Sequence, residues 1–137
     1  MLELEMEEAT PQAMFEHDNQ VFVFGSNKLG MHGAGAAKHA WKFWGAVYGC
    51  GEGMRGHSYA IPTKKTPYVR LTIEQIAEGV GRFVAFARQH PEYRFILTRV
   101  GCGLAGFSDE EIAPLFRGLP NNVDIPEGWK RFNLTHV

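Results

Sequence analysis

One stretch near the start of the chain, VFVFGSNKLGMHGAGAAKHA at Val21 to Ala40, constrains the fold more than any other. Its first four residues are β-branched or aromatic and lack polar alternation, which favours a strand covered on both faces in a parallel sheet. A glycine-rich loop follows, and an alanine-rich helix is expected to begin near Gly33. A buried strand, a loop and a helix in this order predict an α/β fold with a mostly parallel central sheet.

The glycine-rich loop predicts a ligand site. Glycines let the backbone turn sharply or approach a ligand, and the helix after the loop would point free N–H groups at an anion such as phosphate. Asn27 sits at the carboxyl end of the strand, where its amide could donate to and accept from a ribose. The alternative is a tight turn whose glycines serve packing alone.

The middle of the chain predicts a loop, a strand and a long helix. The five glycines between Gly45 and His57 indicate a flexible loop, either a plain connector or a flap over a ligand. Ser58 to Pro62 predicts a second strand, followed by Thr63 and Lys64. Lys64 is expected either to contact phosphate or to lie solvated in a turn. The apolar stripe of Thr72 to His90, which starts with a capping box, predicts a core-facing helix.

The last third of the chain repeats the opening pattern. Tyr93 to Thr98 predicts a strand, Arg99 to Phe107 a second glycine loop, and Ser108 with Glu111 a capping box that starts a helix reaching Phe116. Two such units would place two sets of backbone donors at one sheet edge, an arrangement that can hold a diphosphate. Asn121 to Pro126 predicts a last short strand, and Trp129 with Phe132 is expected to pack the tail onto the body.

Composition limits the class of protein. A chain of 137 residues fits one domain, and no apolar run approaches a membrane span of about 20 residues, so a cytoplasmic location without membrane contact is expected. Two cysteines agree with a reducing compartment. Residues 1–20 contain six acidic residues and no lysine or arginine, and are expected to form an acidic arm or edge strand. The remaining 14 basic and 9 acidic residues give residues 21–137 a charge of +5, too scattered in sequence to argue for a nucleic-acid surface.

Four motifs together, FGSN, HGAGAA, IPTK and GCGLAGF, resemble a compact macrodomain-like family found in bacteria and phages, over Val21 to about Trp129. The resemblance implies a three-layer α/β/α sandwich that binds ADP-ribose or a relative, with hydrolysis of an ADP-ribose derivative as its expected activity. An ADP-ribosylated macromolecule is the implied partner. The strand VFVFG lacks the aspartate that macrodomains commonly use to hold adenine, and the first loop lacks the acidic pair of poly(ADP-ribose) glycohydrolases.

The resemblance also implies roles for particular residues. Asn27 would face the distal ribose and Phe107 would lie at the rim beside it, while the glycine loop between them would wrap the diphosphate. The full set expected to bind ligand is Gly25, Ser26, Gly33, Gly35, Thr63, Lys64, Arg99, Gly101, Cys102, Gly103, Leu104, Ala105, Gly106 and Phe107. Asn27 and His32 are the expected catalytic residues, and no cofactor is implied.

The chemistry of the loops leaves alternatives open. His32 lies between glycines that would let it project into the cleft, or it caps the helix or faces solvent. A ligand phosphate could instead serve as the base for glycosidic hydrolysis. Cys102 is either a nucleophile activated at a helix N-terminus or a small filler of a tight loop. The spacing of Cys50, His57, Cys102 and His32 does not predict a zinc site. The protein is therefore either a hydrolase or a non-catalytic sensor of an ADP-ribose-like nucleotide.

Overall fold

The computed structural model describes residues 18–135, which form one mixed α/β unit around a six-stranded sheet. The strands are β1 (Gln20–Asn27), β2 (Gly53–Arg55), β3 (Ser58–Thr66), β4 (Val69–Arg70), β5 (Arg94–Leu97) and β6 (Val123–Asp124). The helices are α1 (Gly35–Phe43), α2 (Ile73–Gln89) and the short α3 (Asp109–Ile112), with 3-10 turns at Ala113–Phe116 and Glu127–Phe132. The predicted acidic arm lies mostly outside the described residues.

The sheet is mostly parallel, as predicted. Its order is β2-β3-β1-β5-β6, and β1 pairs in parallel with both β3 and β5 at the centre. β5 and β6 are also parallel, whereas β2 and β4 pair antiparallel with β3. The carboxyl ends of β3, β1 and β5 therefore meet at one edge, and the loops that follow these strands come together there.

The residues of β1 divide between two apolar clusters. Val21 and Val23 belong to the larger cluster, with α2 and the two 3-10 turns. Phe24, with Phe22 packed against it, belongs to a smaller cluster with α1. Since successive strand residues point to opposite faces of a sheet, α1 and α2 cover opposite faces of β1, and this explains why the opening run of the strand has no polar residue.

Both predicted capping boxes are confirmed. The Thr72 hydroxyl accepts from the N–H of Gln75 while the Gln75 side chain accepts from the N–H of Thr72, and α2 starts there. Ser108 and Glu111 form the same reciprocal pair at the start of α3. The helix predicted to reach Phe116 is α-helical for only one turn and continues as a 3-10 turn.

Three other predictions need correction. The glycine-rich segment Gly45 to His57 is not entirely a loop, because it contains β2 at the edge of the sheet. β3 does not end at Pro62 but extends to Thr66, so Thr63 and Lys64 lie within the strand. The first helix begins at Gly35, not near Gly33.

Trp129 packs in the core as predicted, fully buried against Phe116. Within residues 18–135, no helix combines the length and apolarity needed to cross a membrane.

Candidate functional site

A cleft of about 810 Å³ opens at the carboxyl ends of β1, β3 and β5. The first glycine loop, after β1, and the second glycine loop, after β5, both line it. The end of β1, from which the first loop starts, lies directly against the second loop. A Cβ added to Gly25 would lie 3.1 Å from the amide nitrogen of Gly101. The prediction that two separate turns meet across adjoining strands is confirmed.

The side chain of Asn27 closes the first loop. Its Nδ2 donates to the carbonyl of Met31 at 3.1 Å, and its Oδ1 accepts from the N–H of Met31 at 3.0 Å. Asn27 is buried but lines the cleft. An amide has two donors and two acceptor positions, so Met31 uses one of each. The direct structural role of Asn27 is to hold the loop that precedes α1.

Free backbone donors belong to cleft-lining residues on both sides of the cleft. At the start of α1, the first intrahelical bond runs from the N–H of Lys38 to the carbonyl of Ala34 at 3.2 Å, so the three preceding amides have no helical acceptor. In the second loop, the amides of Gly103, Leu104 and Ala105 have no hydrogen-bond acceptor within residues 18–135. Both sets belong to residues that line the cleft.

The two loops also contact each other across the cleft. A Cβ added to Gly35 would lie 3.0 Å from Cδ1 of Leu104, so the leucine packs directly against the first residue of α1. Gly35 adopts a φ of +59°, a backbone conformation that favours glycine independently of the contact with Leu104. Leu104 is nevertheless 69% exposed.

The cleft favours an anion. Its titratable lining residues are Lys64, Arg99, Cys102, Tyr48 and Tyr68, and none of the lining residues that the structure describes is a carboxylate or a histidine. The Lys64 amine donates to the carbonyl of Pro67 at 3.3 Å, which places it beside the cleft. Arg99 is paired with the Asp109 carboxylate at 2.8 Å, so the free N–H groups and Lys64 are the groups that stabilise negative charge here.

Most of the residues predicted to bind ligand do line the cleft. They are Gly25, Ser26, Gly33, Gly35, Thr63, Lys64, Arg99, Gly101, Cys102, Gly103, Leu104 and Ala105. The hydroxyls of Ser26 and Thr63 are committed to the backbone, donating to the carbonyls of Gly51 and Ser26. Gly106 and Phe107 are not in the lining. The prediction of Phe107 at the rim is wrong, because its ring is 93% buried in the core beneath the guanidinium of Arg70.

His32 does not project into the cleft, and that prediction is also wrong. The side chain is fully buried, with Phe24 and Tyr48 edge-to-face against its ring. Its Nε2 lies 3.1 Å from the carbonyl of Cys50 and must therefore carry the proton, which leaves Nδ1 as a bare acceptor. Burial lowers the pKa of His32 below its ordinary value of 6.5. The neutral ring fastens the segment carrying Cys50 to the first loop and supports the cleft-lining Tyr48.

His32 is expected to make the protein sensitive to mild acid. The unfolded chain takes up this proton near pH 6.5, whereas the folded protein takes it up only at lower pH. The contribution of the neutral His32 ring to the free energy of unfolding is thus intact above pH 6.5. It falls as the pH is lowered, by at most about 1.4 kcal/mol per pH unit. Urea unfolding between pH 7.5 and about 5 measures it. His32→Gln, which cannot titrate, should reduce the slope; an unchanged slope would contradict this assignment.

Asp109 organises the base of the second loop. Its carboxylate accepts two bonds from Arg99, at 2.9 and 2.8 Å, and one from the indole N–H of Trp129 at 2.6 Å. The bonds from Arg99 and then Trp129 lower the pKa of Asp109 to about 2. Burial, followed by a hydrogen bond to Asp109, raises the pKa of Cys102 to about 12. The thiol is therefore protonated at neutral pH, and the proposal of an activated nucleophile is wrong.

Asp109→Asn is expected to lower stability by about 2 kcal/mol at pH 7, because the carboxylate's pKa falls from 3.8 to about 2 on folding. Since that pKa is depressed, the contribution is complete above pH 3.8 and is lost as the pH falls towards 2. Urea unfolding at pH 7 and at about pH 3 compares the two proteins. The difference in unfolding free energy between the variant and the unmodified protein should shrink at the lower pH. A constant difference would mean that packing, not charge, causes the loss of stability.

Several lining residues were missed from the sequence, notably Met31, Tyr48, Pro67 and Tyr68. Tyr48 reaches the cleft because its ring packs edge-to-face against Trp41 and His32. Pro67 and Tyr68 form the turn of the β3–β4 hairpin. Pro67, which follows Thr66, is a turn residue that could have indicated the hairpin.

Within residues 18–135, no group of three or more His, Cys, Asp or Glu side chains could hold a metal ion. Comparison of the chain with family models, with curated proteins and with solved structures gives no match.

Proposed function

We propose that the cleft binds ADP-ribose or a related nucleotide diphosphate-sugar. The observation that carries the proposal is the convergence of two sets of free backbone amides, at the start of α1 and at residues 103–105, in a cleft whose described lining has no carboxylate. One such set binds a single anionic group. Two sets of free amides in the lining of one cleft suit the two phosphates of a diphosphate.

The ligand's orientation follows from what flanks the two loops. The diphosphate would lie in the cleft beside the contact between Gly35 and Leu104. A ribose would then reach the first loop at Asn27, where Tyr48 offers a half-exposed ring. This placement, with helices covering both faces of β1, supports the further proposal that the fold is a macrodomain-like α/β/α sandwich.

Binding without turnover is a second candidate, and the chemistry of the cleft favours it. Hydrolysis at the anomeric carbon needs a base for the attacking water. His32 is buried away from the cleft and the Cys102 thiol is protonated, so neither supplies that base. If the protein hydrolyses an ADP-ribose derivative, the proposed route is a water held by the first loop and deprotonated by a phosphate of the ligand itself.

A thermal-shift panel of ADP-ribose, NAD, ADP and ribose 5-phosphate tests the binding proposal. A ligand at 100 times its Kd stabilises the folded state by about 2.7 kcal/mol, which raises Tm by several degrees in a domain of this size. ADP-ribose is expected to give the largest shift, and ribose 5-phosphate, with one phosphate, a smaller one. No shift with any of the four would contradict the proposal.

Turnover is tested by incubating the protein with an ADP-ribosylated substrate and measuring free ADP-ribose. Asn27→Ala should abolish release together with binding, since it frees the first loop. Asn27→Asp keeps the acceptor for the Met31 N–H but adds a negative charge that repels the phosphates of the ligand. His32→Gln should retain release. Tight binding without release in the unmodified protein would assign it as a sensor.

A further inference from the structure

The β3–β4 hairpin carries a surface that extends beyond the cleft of the proposed function. Thr66 pairs with Val69, so Pro67 and Tyr68 form a two-residue turn. Tyr68 is 94% exposed, the most exposed of the large apolar side chains described. The turn is fixed, because the N–H of Tyr68 donates to the Thr66 hydroxyl at 3.2 Å. An aromatic ring is thus presented to solvent by a defined backbone.

Three cations lie close to Tyr68 along the chain. Lys64, Lys65 and Arg70 lie within seven residues that include no acidic side chain. Within residues 18–135, no carboxylate forms an ion pair with any of the three. The Arg70 guanidinium is oriented by the Phe107 ring, 4.4 Å below it. We call Lys64, Lys65, Tyr68 and Arg70 the hairpin patch.

Glu111 offsets the charge of the hairpin patch in part. Arg70 contributes, after the hydrogen bonds with Ser108, to lowering the pKa of Glu111. Among the described residues, none of the three cations has an ion-pair partner, so a surplus of positive charge remains there. The patch also continues into the cleft, since Lys64, Pro67 and Tyr68 line its edge.

We propose that the hairpin patch binds single-stranded nucleic acid, with a base stacked on Tyr68 and the phosphates beside Lys64, Lys65 and Arg70. Proteins that bind single strands without sequence preference combine an exposed aromatic ring with cations that follow the backbone. An acidic peptide would use the cations but leave the ring without a planar partner. The proposal does not depend on what the cleft binds.

Fluorescence anisotropy with a labelled 12-nucleotide oligo(dT) and the full chain tests the proposal. Three phosphate contacts predict that binding weakens about 20-fold between about 50 and 200 mM NaCl. Tyr68→Ala should weaken binding about tenfold, whereas Tyr68→Phe should stay close to the unmodified protein. Lys65→Gln with Arg70→Gln leaves one cation, so the salt dependence should fall to about threefold.

Arg117→Gln, which removes an exposed cation away from the hairpin, is the matched control and should bind like the unmodified protein. The proposal is overturned if oligo(dT) does not bind, if Tyr68→Ala binds as tightly as Tyr68→Phe, or if the control loses as much affinity as the double variant. Equal competition by poly-glutamate would assign the patch to acidic peptides instead. Nucleotide binding in the cleft is measured separately by thermal shift, so the two proposals can fail independently.

Discussion

Gly51→Ala is expected to destabilise the folded protein by about 3 kcal/mol, the cost of forcing a methyl group into a closely packed site. A Cβ at this position would lie 2.3 Å from the carbonyl oxygen of Asn27 and 2.7 Å from that of Lys28. Both atoms belong to the backbone of the first loop, which cannot move aside as a flexible side chain would. The same substitution should weaken ligand binding, because relief of the clash displaces the loop that lines the cleft.

Gly81→Ala is the matched control. Gly81 lies in α2, and a Cβ there would meet no atom within 4 Å, so alanine should stabilise the protein by about 0.5 to 1 kcal/mol through its better helix propensity. Urea unfolding gives the free energy of each variant. If Gly51→Ala is as stable as the unmodified protein, the close packing of residues 45–57 against the first loop is not rigid.

Gly103→Asp is expected to weaken the binding of ADP-ribose about 30-fold without affecting the fold. Gly103 is exposed at the cleft, and a Cβ there would meet no atom within 4 Å. A carboxylate about 6 Å from a phosphate costs about 2 kcal/mol once solvent screening is allowed for, which corresponds to that loss. Isothermal titration calorimetry measures the affinity.

Gly103→Asn separates charge from size, because its side chain has nearly the same shape as that of aspartate. Its affinity should stay within about threefold of the unmodified protein, and the gap between the two variants should narrow at about 1 M salt, where the Debye length is short. Equal losses in both variants would mean that the second loop contributes space but does not face the charge of the ligand.

The local signals of the sequence predicted the elements that define the site. The run Val21 to Phe24 became the central strand, and both capping boxes mark helix starts at the residues predicted. The first and second glycine loops met at one sheet edge because strands β1 and β5 are parallel neighbours. Patterns of this kind are local in the chain, so periodicity and turn chemistry are enough to detect them.

What the sequence did not predict depends on contacts between distant residues. His32 turns away from the cleft because the carbonyl that it meets belongs to Cys50, in a segment whose fold was not predicted. Phe107 is buried because its N–H donates to the carbonyl of Gly101, folding the loop back onto the core. The pKa of the Cys102 thiol is raised first by burial and then by Asp109, which the fold of the loop, and not a recognisable spacing, brings next to it.

The outer side of β3 has a consequence for self-association. β2 pairs with the first residues of this strand and β4 with the last, so two short antiparallel segments share the edge that one long strand would otherwise expose. At the opposite border of the sheet, β6 has only two residues. Within residues 18–135, neither border offers the long, flat row of unpaired amides and carbonyls on which a second molecule could extend the sheet, so this part of the architecture disfavours edge-to-edge aggregation.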